Sequence, residues 1–237
     1  MEYLKPNEGL KVFDIRFDVT TAGPSPIDNK RIELFLLGCD KAMKGQPCKG
    51  CFNSKLWDAN KAQHSLDVEE LANWIIERTP KDKRYITLGG GEPLQQIDKL
   101  IPLCKILKEN GFHIMMYTWR KLSYYLDPYV VPIIDDYLMV PESLDIKMKL
   151  PELLPYLDII VDGQFIQEEK LYQENKGDGL LSSIGSGNQR VWDIQYYNKT
   201  GKYRCYAMRD LLELKVNELN NTLIMYLKEG VKPCASN

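Results

Sequence analysis

Apolar and polar residues alternate along KVFDIRFDV (Lys11–Val19), which predicts a strand with Phe13, Ile15 and Phe17 on one face. RIELFLLG (Arg31–Gly38) reads as a second strand that runs straight into Cys39. The period then lengthens. In SLDVEELANWIIER (Ser65–Arg78) the stripe Val68, Leu71, Trp74 and Ile75 predicts a helix, started by Ser65 or Asp67. RYITL (Arg84–Leu88) is a short strand ending in glycines. IDKLIPLCKILKENG (Ile97–Gly111) is a helix with Ile97, Leu100, Ile101, Cys104 and Leu107 inward and Gly111 as its C-cap. FHIMMYT (Phe112–Thr118) and LDIIVDG (Leu157–Gly163) read as further strands.

Strands alternating with helices predict an α/β fold with right-handed crossovers and a parallel sheet. In such sheets ligands sit at the carboxyl ends of the strands. Cys39 and the run Gly89–Glu92 both follow predicted strands directly, so they are expected on one rim. From about Val191 the character changes. YYNKTGKYRCY (Tyr196–Tyr206) reads as a turn between strands with Gly201 at the corner. MRDLLELKVNELNNTLIMYLKEG (Met208–Gly230) reads as one long amphipathic helix closed by Gly230. The expected organisation is a main unit over 1–193 and a C-terminal extension carrying that helix over 194–237.

The chain has 237 residues and a formal net charge of -2, enough for one substantial core. There is no basic excess to suggest nucleic acid and no apolar run long enough for a membrane. MEYLKPNEGL lacks the apolar centre of a signal peptide, so a cytoplasmic location is expected. Thiols stay reduced there, and clustered cysteines then favour metal binding or catalysis over disulfides.

GCDKAMKGQPCKGCFN (Gly38–Asn53) holds three of the six cysteines, Cys39, Cys48 and Cys51. Thiolates bind zinc or iron–sulfur clusters. Structural zinc needs four protein ligands, and the candidates for a fourth are Cys104, Cys205, Cys234, His64 and His113. Cys104 falls on a predicted apolar helix face, where a buried free thiol is the ordinary reading. Three cysteines on one loop also suit a four-iron cluster with one iron left open. Spacing alone leaves both readings standing. TLGGGEPLQ (Thr87–Gln95) adds three glycines and a carboxylate after a strand. It reads either as a turn needing positive φ or as backbone brought close to a ligand, with Glu92 facing an ammonium group. Two such motifs in this order, each after a strand, are hard to reach by chance.

Four stretches, LFLLGC…PCKGCFNSKLWD, ITLGGGEPLQQ, LDIIVDGQF and GSGNQR, resemble the radical S-adenosylmethionine superfamily. Within it they resemble the activating proteins of anaerobic ribonucleoside-triphosphate reductase, over roughly Val12 to Asp193. AGPSPIDNKR (Ala22–Arg31) faintly echoes that family's entry segment. The resemblance implies an incomplete (β/α) barrel. It implies a [4Fe–4S] cluster on Cys39, Cys48 and Cys51, with S-adenosylmethionine on the open iron. Gly90, Gly91 and Glu92 would hold the methionyl ammonium, and Gly50 and Phe52 would pass near the adenine. Tyr117 and Thr118, in MYTW (Met116–Trp119), would lie by the ribose or sulfonium; an aromatic strand end explains that stretch equally well. No further catalytic side chain is implied.

The implied chemistry is a 5′-deoxyadenosyl radical that takes hydrogen from a glycine of a partner, the large anaerobic ribonucleotide reductase subunit. An external electron donor such as a flavodoxin would supply the electron. VDGQF (Val161–Phe165) and GSGNQR (Gly185–Arg190) are candidates for partner docking. Three departures stand out. Eight residues separate Cys39 from Cys48 where the family has three, an excess that KAMKG (Lys41–Gly45) can loop out. Ile184 stands in place of a family arginine. The tail has no counterpart. The rival readings are an activator of a different glycyl-radical enzyme, a small-molecule synthase of the same superfamily, and a structural zinc module.

Overall fold

The computed structural model describes residues 9–20, 23–25, 30–61, 64–126, 141–171, 183–207, 212–217 and 222–227. Strands β1 (Leu10–Val19), β2 (Arg31–Leu36), β3 (His64–Leu66), β4 (Tyr85–Gly90), β5 (His113–Thr118), β6 (Ile159–Asp162), β7 (Arg190–Asp193) and β8 (Cys205–Ala207) form one open sheet. Its order is β3-β1-β2-β4-β5-β6-β7-β8. The central four, β2, β4, β5 and β6, are parallel, as the alternation of strands and helices requires. The flanking strands are antiparallel.

Helices α1 (Asp40–Met43), α2 (Val68–Arg78), α3 (Ile97–Glu109), α4 (Leu122–Leu126), α5 (Pro141–Leu153) and α6 (Ile194–Thr200) complete the main unit. Asp67 caps α2, its Oδ1 accepting from the amides of Glu69 and Glu70 at 2.9 and 3.0 Å. Val68, Leu71, Ala72 and Ile75 of α2 are buried, while Trp74 lies half out against Phe17. In α3 the buried set is Ile97, Leu100, Leu103, Cys104 and Leu107, and Gly111 takes φ +78° just past the end.

The strands have two different faces. Leu34, Leu36, Ile86, Leu88, Ile114, Met116 and Ile160 pack with the helices into the main core. Met115, Ile159, Val161 and Val191 turn the other way and form a smaller cluster with Leu171 and Ile184. This second, inner face carries the cavity described below. In β1 Leu10 and Val12 are buried and Ile15 packs against the main core, while Phe13 and Phe17 are exposed, so the three residues expected on one face differ in their surroundings. The β1–β2 register slips between Val12 and Asp14 and again between Arg16 and Val19, and such irregularities interrupt the strict alternation of faces.

The tail departs most. The expected turn over Tyr196–Tyr206 is helix α6, stopped by Gly201 at φ +68° and followed by β8. Asp193 caps α6 through the amide of Tyr196 at 2.8 Å, and Ile194 packs in the main core. The sheet therefore runs on past residue 193. The long amphipathic helix does not form: β9 (Leu212–Asn217) and β10 (Thr222–Leu227) pair antiparallel, with Asn217 opposite Thr222. Thr222, Ile224 and Tyr226 favour strand, and Asn217, Asn220 and Asn221 interrupt the helical stripe. Gly230 and Cys234 lie outside the described residues, as does most of Ala22–Asn29 in the entry segment.

Candidate functional site

β2 and β4 lie side by side, with Leu36 opposite Gly90. Beyond the strand ends the two chains stay stitched. The amide of Gly91 donates to Leu36 O (2.9 Å) and that of Glu92 to Gly38 O (2.6 Å), while Cys39 N donates to Trp57 O (2.9 Å). A Cβ on Gly91 would stand 2.0 Å from Gly38 O, and one on Gly90, whose φ is +110°, 2.2 Å from Leu36 O. The glycines are thus demanded by the approach of two loops, whatever ligand they also meet. Gly91→Ala should cost about 3 kcal/mol, the top of the overpacking range. Gly45→Ala, with φ +80° and open space around the new methyl group, should cost about 1 kcal/mol. Urea titrations of the two variants separate the clash from the conformational effect.

The rim opens into a cavity of about 460 Å3 on the inner face. Cys48, Cys51 and Phe52 line one side, Gly89–Gly91 and Thr118 the centre, and Tyr117 and Phe165 the far wall. Cys39 is buried beside them, and its thiol and that of Cys48 act electrostatically on one another, as do Cys48 and Cys51. Burial pushes the Cys39 thiol up to about 12, with Glu92 and Asp40 adding to the rise, and burial also raises Cys48. Such thiols ionise only where a bound cation offsets the burial. Phe52 is 65% exposed at the mouth and packs on Phe165 with ring centroids 4.7 Å apart. Gly50, expected near the adenine, is not on the cavity wall: its missing Cβ makes room for Gln167, whose Oε1 would lie 2.2 Å away.

The fourth-ligand candidates lie elsewhere. Cys104 is fully buried in the main core, and Cys205 is exposed on β8. His113 stacks on Tyr85 and faces Arg31 at 3.4 Å; burial lowers its pKa to about 4. His64 lies on β3, and Cys234 is outside the described residues. Among the described residues no three His, Cys, Asp or Glu side chains converge on a single-ion site. The donor set of three thiols on one loop, two of them facing a cavity, fits the cluster.

Glu92 does not face that cavity. It is fully buried, and its carboxylate accepts from Leu94 N (3.1 Å), Thr118 Oγ1 (2.8 Å) and Trp119 N (3.0 Å), with Arg120 Nε at 3.9 Å. The expected contact with an ammonium is replaced by a role in holding the end of β5. Arg120 is buried too. Its Nη2 donates to Asp40 Oδ2 (2.5 Å) and its Nη1 to Tyr125 Oη (3.0 Å). Burial alone would lower the Arg120 pKa, but Glu92 and Asp40 more than reverse that.

This network also corrects the reading of KAMKG as a loop-out. Lys41 is buried, its Nζ 5.1 Å from the centre of the Trp119 ring, and Asp40 before it holds both Arg120 and Trp119 Nε1. The exposed part of the loop before Cys48 is Met43–Pro47.

Burial raises Glu92 from 4.5 to about 7, outweighing the lowering by Arg120. The folded state therefore holds the proton more tightly than the unfolded one. Stability should fall as pH rises through roughly 4.5 to 7 and level off above, by about 3 kcal/mol. Urea midpoints measured across that window should lose this slope in Glu92→Gln.

VDGQF and GSGNQR bind each other. Gln189 Oε1 accepts from Gly185 N (2.8 Å) and Ser186 N (3.1 Å), and its Nε2 donates to Gly163 O (3.0 Å). Asn188 Nδ2 donates to Gln164 O (2.8 Å), and Arg190 grips Asp162 with two bonds of 2.9 and 2.5 Å. Tyr117 Oη donates to Ser183 O (2.6 Å), joining β5 to the same wall. The two segments build the far wall of the cavity, tied to each other through the side chains of Asn188, Gln189 and Arg190. Glu33, which also lines the cavity, escaped the sequence reading because one polar residue in an alternating strand looks solvent-facing.

Comparison with known proteins supports this assignment of the cysteine loop. The chain is similar to the anaerobic ribonucleoside-triphosphate reductase-activating protein of Haemophilus influenzae, 29% identical over 168 residues, covering 69% of this chain and 88% of that protein. The protein of the same name from Pasteurella multocida is 26% identical over 176 residues, 72% and 91% of the two chains. The pyruvate formate-lyase-activating enzyme of Staphylococcus epidermidis is 36% identical over 69 residues, 28% of each chain. The family model described as a 4Fe-4S single cluster domain matches residues 28–192, a span that takes in the cysteine loop, the glycine run and the far wall. With that match over most of its length, the chain belongs to the 4Fe-4S single cluster domain family.

Proposed function

We propose that this chain is a radical S-adenosylmethionine activase that generates a glycyl radical on an anaerobic ribonucleotide reductase. The observation that carries the reading is one cavity shared by Cys48, Cys51 and the Gly89–Gly91 backbone, with Cys39 beside it. The names of relatives that match this chain over most of their own length agree with it. The open sheet then corresponds to an incomplete (β/α) barrel. Cys39, Cys48 and Cys51 would hold a [4Fe–4S] cluster as thiolates. Bound together, a reduced cluster and S-adenosylmethionine supply one-electron cleavage chemistry that ends with a hydrogen atom taken from the target's glycine.

The chain's own residues position and shield. Gly89–Gly91 bring main chain rather than side chains to the cavity, so an amino acid head group can lie against carbonyls and amides. Glu92 fixes Thr118 and Trp119 from behind. Phe52 and Phe165 offer an apolar mouth against which a purine ring can lie. Gln189 keeps the far wall closed to water. Gln189→Ala frees two amides and a carbonyl, costing about 2 kcal/mol. Activation should drop while iron content stays unchanged, because the cysteines sit across the cavity; iron and activity assays on the one preparation check this. The electron would come from an external donor such as a flavodoxin, in the cytoplasm, where the thiols stay reduced.

The test is anaerobic reconstitution with iron and sulfide, then reduction in the presence of S-adenosylmethionine. Methionine and 5′-deoxyadenosine should appear in equal amounts. A colourless protein holding one tightly bound zinc ion would sink the proposal.

A further inference from the structure

The inner face of the sheet carries one acidic side chain with no structural task. Glu33 lies on β2 between Arg31 and Phe35 and lines the cavity. A Cβ added to Gly89 would come within 3.8 Å of its Oε1. Among the described residues no hydrogen bond or ion pair reaches the carboxylate. Its cross-strand neighbour Arg16 acts on it electrostatically but donates to Asp14 at 2.7 Å. Arg31, two residues away, is spent on Thr87 Oγ1, Pro24 O and Ile86 O, each at 2.7 Å. Burial raises the Glu33 pKa despite Arg16, the mark of a carboxylate short of positive charge. Such a group is costly unless something that enters the cavity relieves it.

Register says what can reach it. Glu33 pairs with Thr87, Thr87 with Met115 and Met115 with Ile159. That layer lies below the one holding Gly89, Tyr117 and Val161. Glu33 is three residues short of the end of β2, about 10 Å below the rim where the cysteine and glycine loops sit. A ligand gripped by those loops has no need to extend so far, whereas a peptide segment pushed down the inner face meets Glu33.

We propose that Glu33 is a specificity-determining residue whose carboxylate receives a cationic side chain of the target segment entering the cavity. This rests on the activase reading. It adds that the target carries an arginine or lysine close to its glycine. A charged hydrogen bond in a partly dry site favours the matched target over a neutral analogue.

The experiment uses the reconstituted protein with S-adenosylmethionine and no reductant, so that binding is read without turnover. The probes are two synthetic glycine-centred peptides differing only by arginine or glutamine beside the glycine. Wild type should bind the arginine peptide about tenfold more tightly, the scale of one charge-assisted contact. Glu33→Gln should erase the difference while its S-adenosylmethionine affinity and iron content stay at wild-type values. Because Glu33 bonds to nothing in the described fold and its burial is uncompensated, this variant should melt at or slightly above the wild type. Equal peptide binding by wild type, or discrimination that survives in Glu33→Gln, overturns the proposal. So does a tenfold loss of S-adenosylmethionine affinity with peptide discrimination intact, which would make Glu33 a cofactor contact. Failure of the activase reading would show separately, as wild type that takes up no iron.

Discussion

Arg120→Met will lower the stability of the folded chain by about 3–5 kcal/mol, the cost of removing one partner from a buried ion pair. Methionine keeps most of the volume, so the loss is electrostatic rather than a cavity. Two buried carboxylates, Asp40 and Glu92, would lose the cation between them. Asp40 keeps only its 3.3 Å bond from Trp119, and Tyr125 loses the bond it accepts. Glu92 would respond by holding its proton to still higher pH, so the variant should suffer most in alkaline buffer. Because Asp40 follows Cys39 directly, iron uptake should fall along with stability. Combining Arg120→Met with Asp40→Asn and Glu92→Gln should recover part of the loss, since the uncompensated charges are then gone. Urea unfolding at pH 6 and 8 measures all of this; a penalty under about 1 kcal/mol would mean that the network is incidental.

Cys39→Ala, Cys48→Ala and Cys51→Ala should each take the reconstituted protein from about four irons per chain to almost none, the count expected of a single four-iron cluster. Two thiolates cannot hold a four-iron cluster that already has one iron unligated by protein. The folds should survive, because none of the three thiols is a packing residue of the main core. Cys104→Ala should behave oppositely: iron unchanged, stability lower by about 1 kcal/mol for a thiol lost from a full core. Cys205→Ala, at an exposed position, should change neither. Iron and sulfide analysis with the visible absorption spectrum separates the two classes. Iron retained in Cys48→Ala, or lost in Cys104→Ala, would contradict the ligand assignment.

Much of this was legible in the residues themselves. Short, mostly apolar runs became β2, β4, β5 and β6, parallel strands with both faces largely covered, and the stripe from Val68 to Ile75 became α2, buried along one side. The joint placement of Cys39 and Gly89–Glu92 followed from their positions after parallel strands. What stayed hidden depends on contacts distant in sequence. Nothing local to KAMKG announces that Asp40 meets Arg120, 80 positions away. Glu92 looked like a ligand because glycines preceded it; its partners, Thr118 and Trp119, are set by the β4–β5 pairing. The faces of β1 depend on two register slips, between Val12 and Asp14 and between Arg16 and Val19. The tail was misread because leucines spaced by two and by four satisfy both periods, and the asparagines that decide between them weigh little in a helical count.

The most direct test of the account is electron paramagnetic resonance of the protein mixed anaerobically with an anaerobic ribonucleotide reductase, S-adenosylmethionine and a reductant. The account predicts a glycyl radical on the reductase that requires all three additions and is absent with Cys48→Ala. Cleavage of S-adenosylmethionine without any radical on the reductase would contradict it.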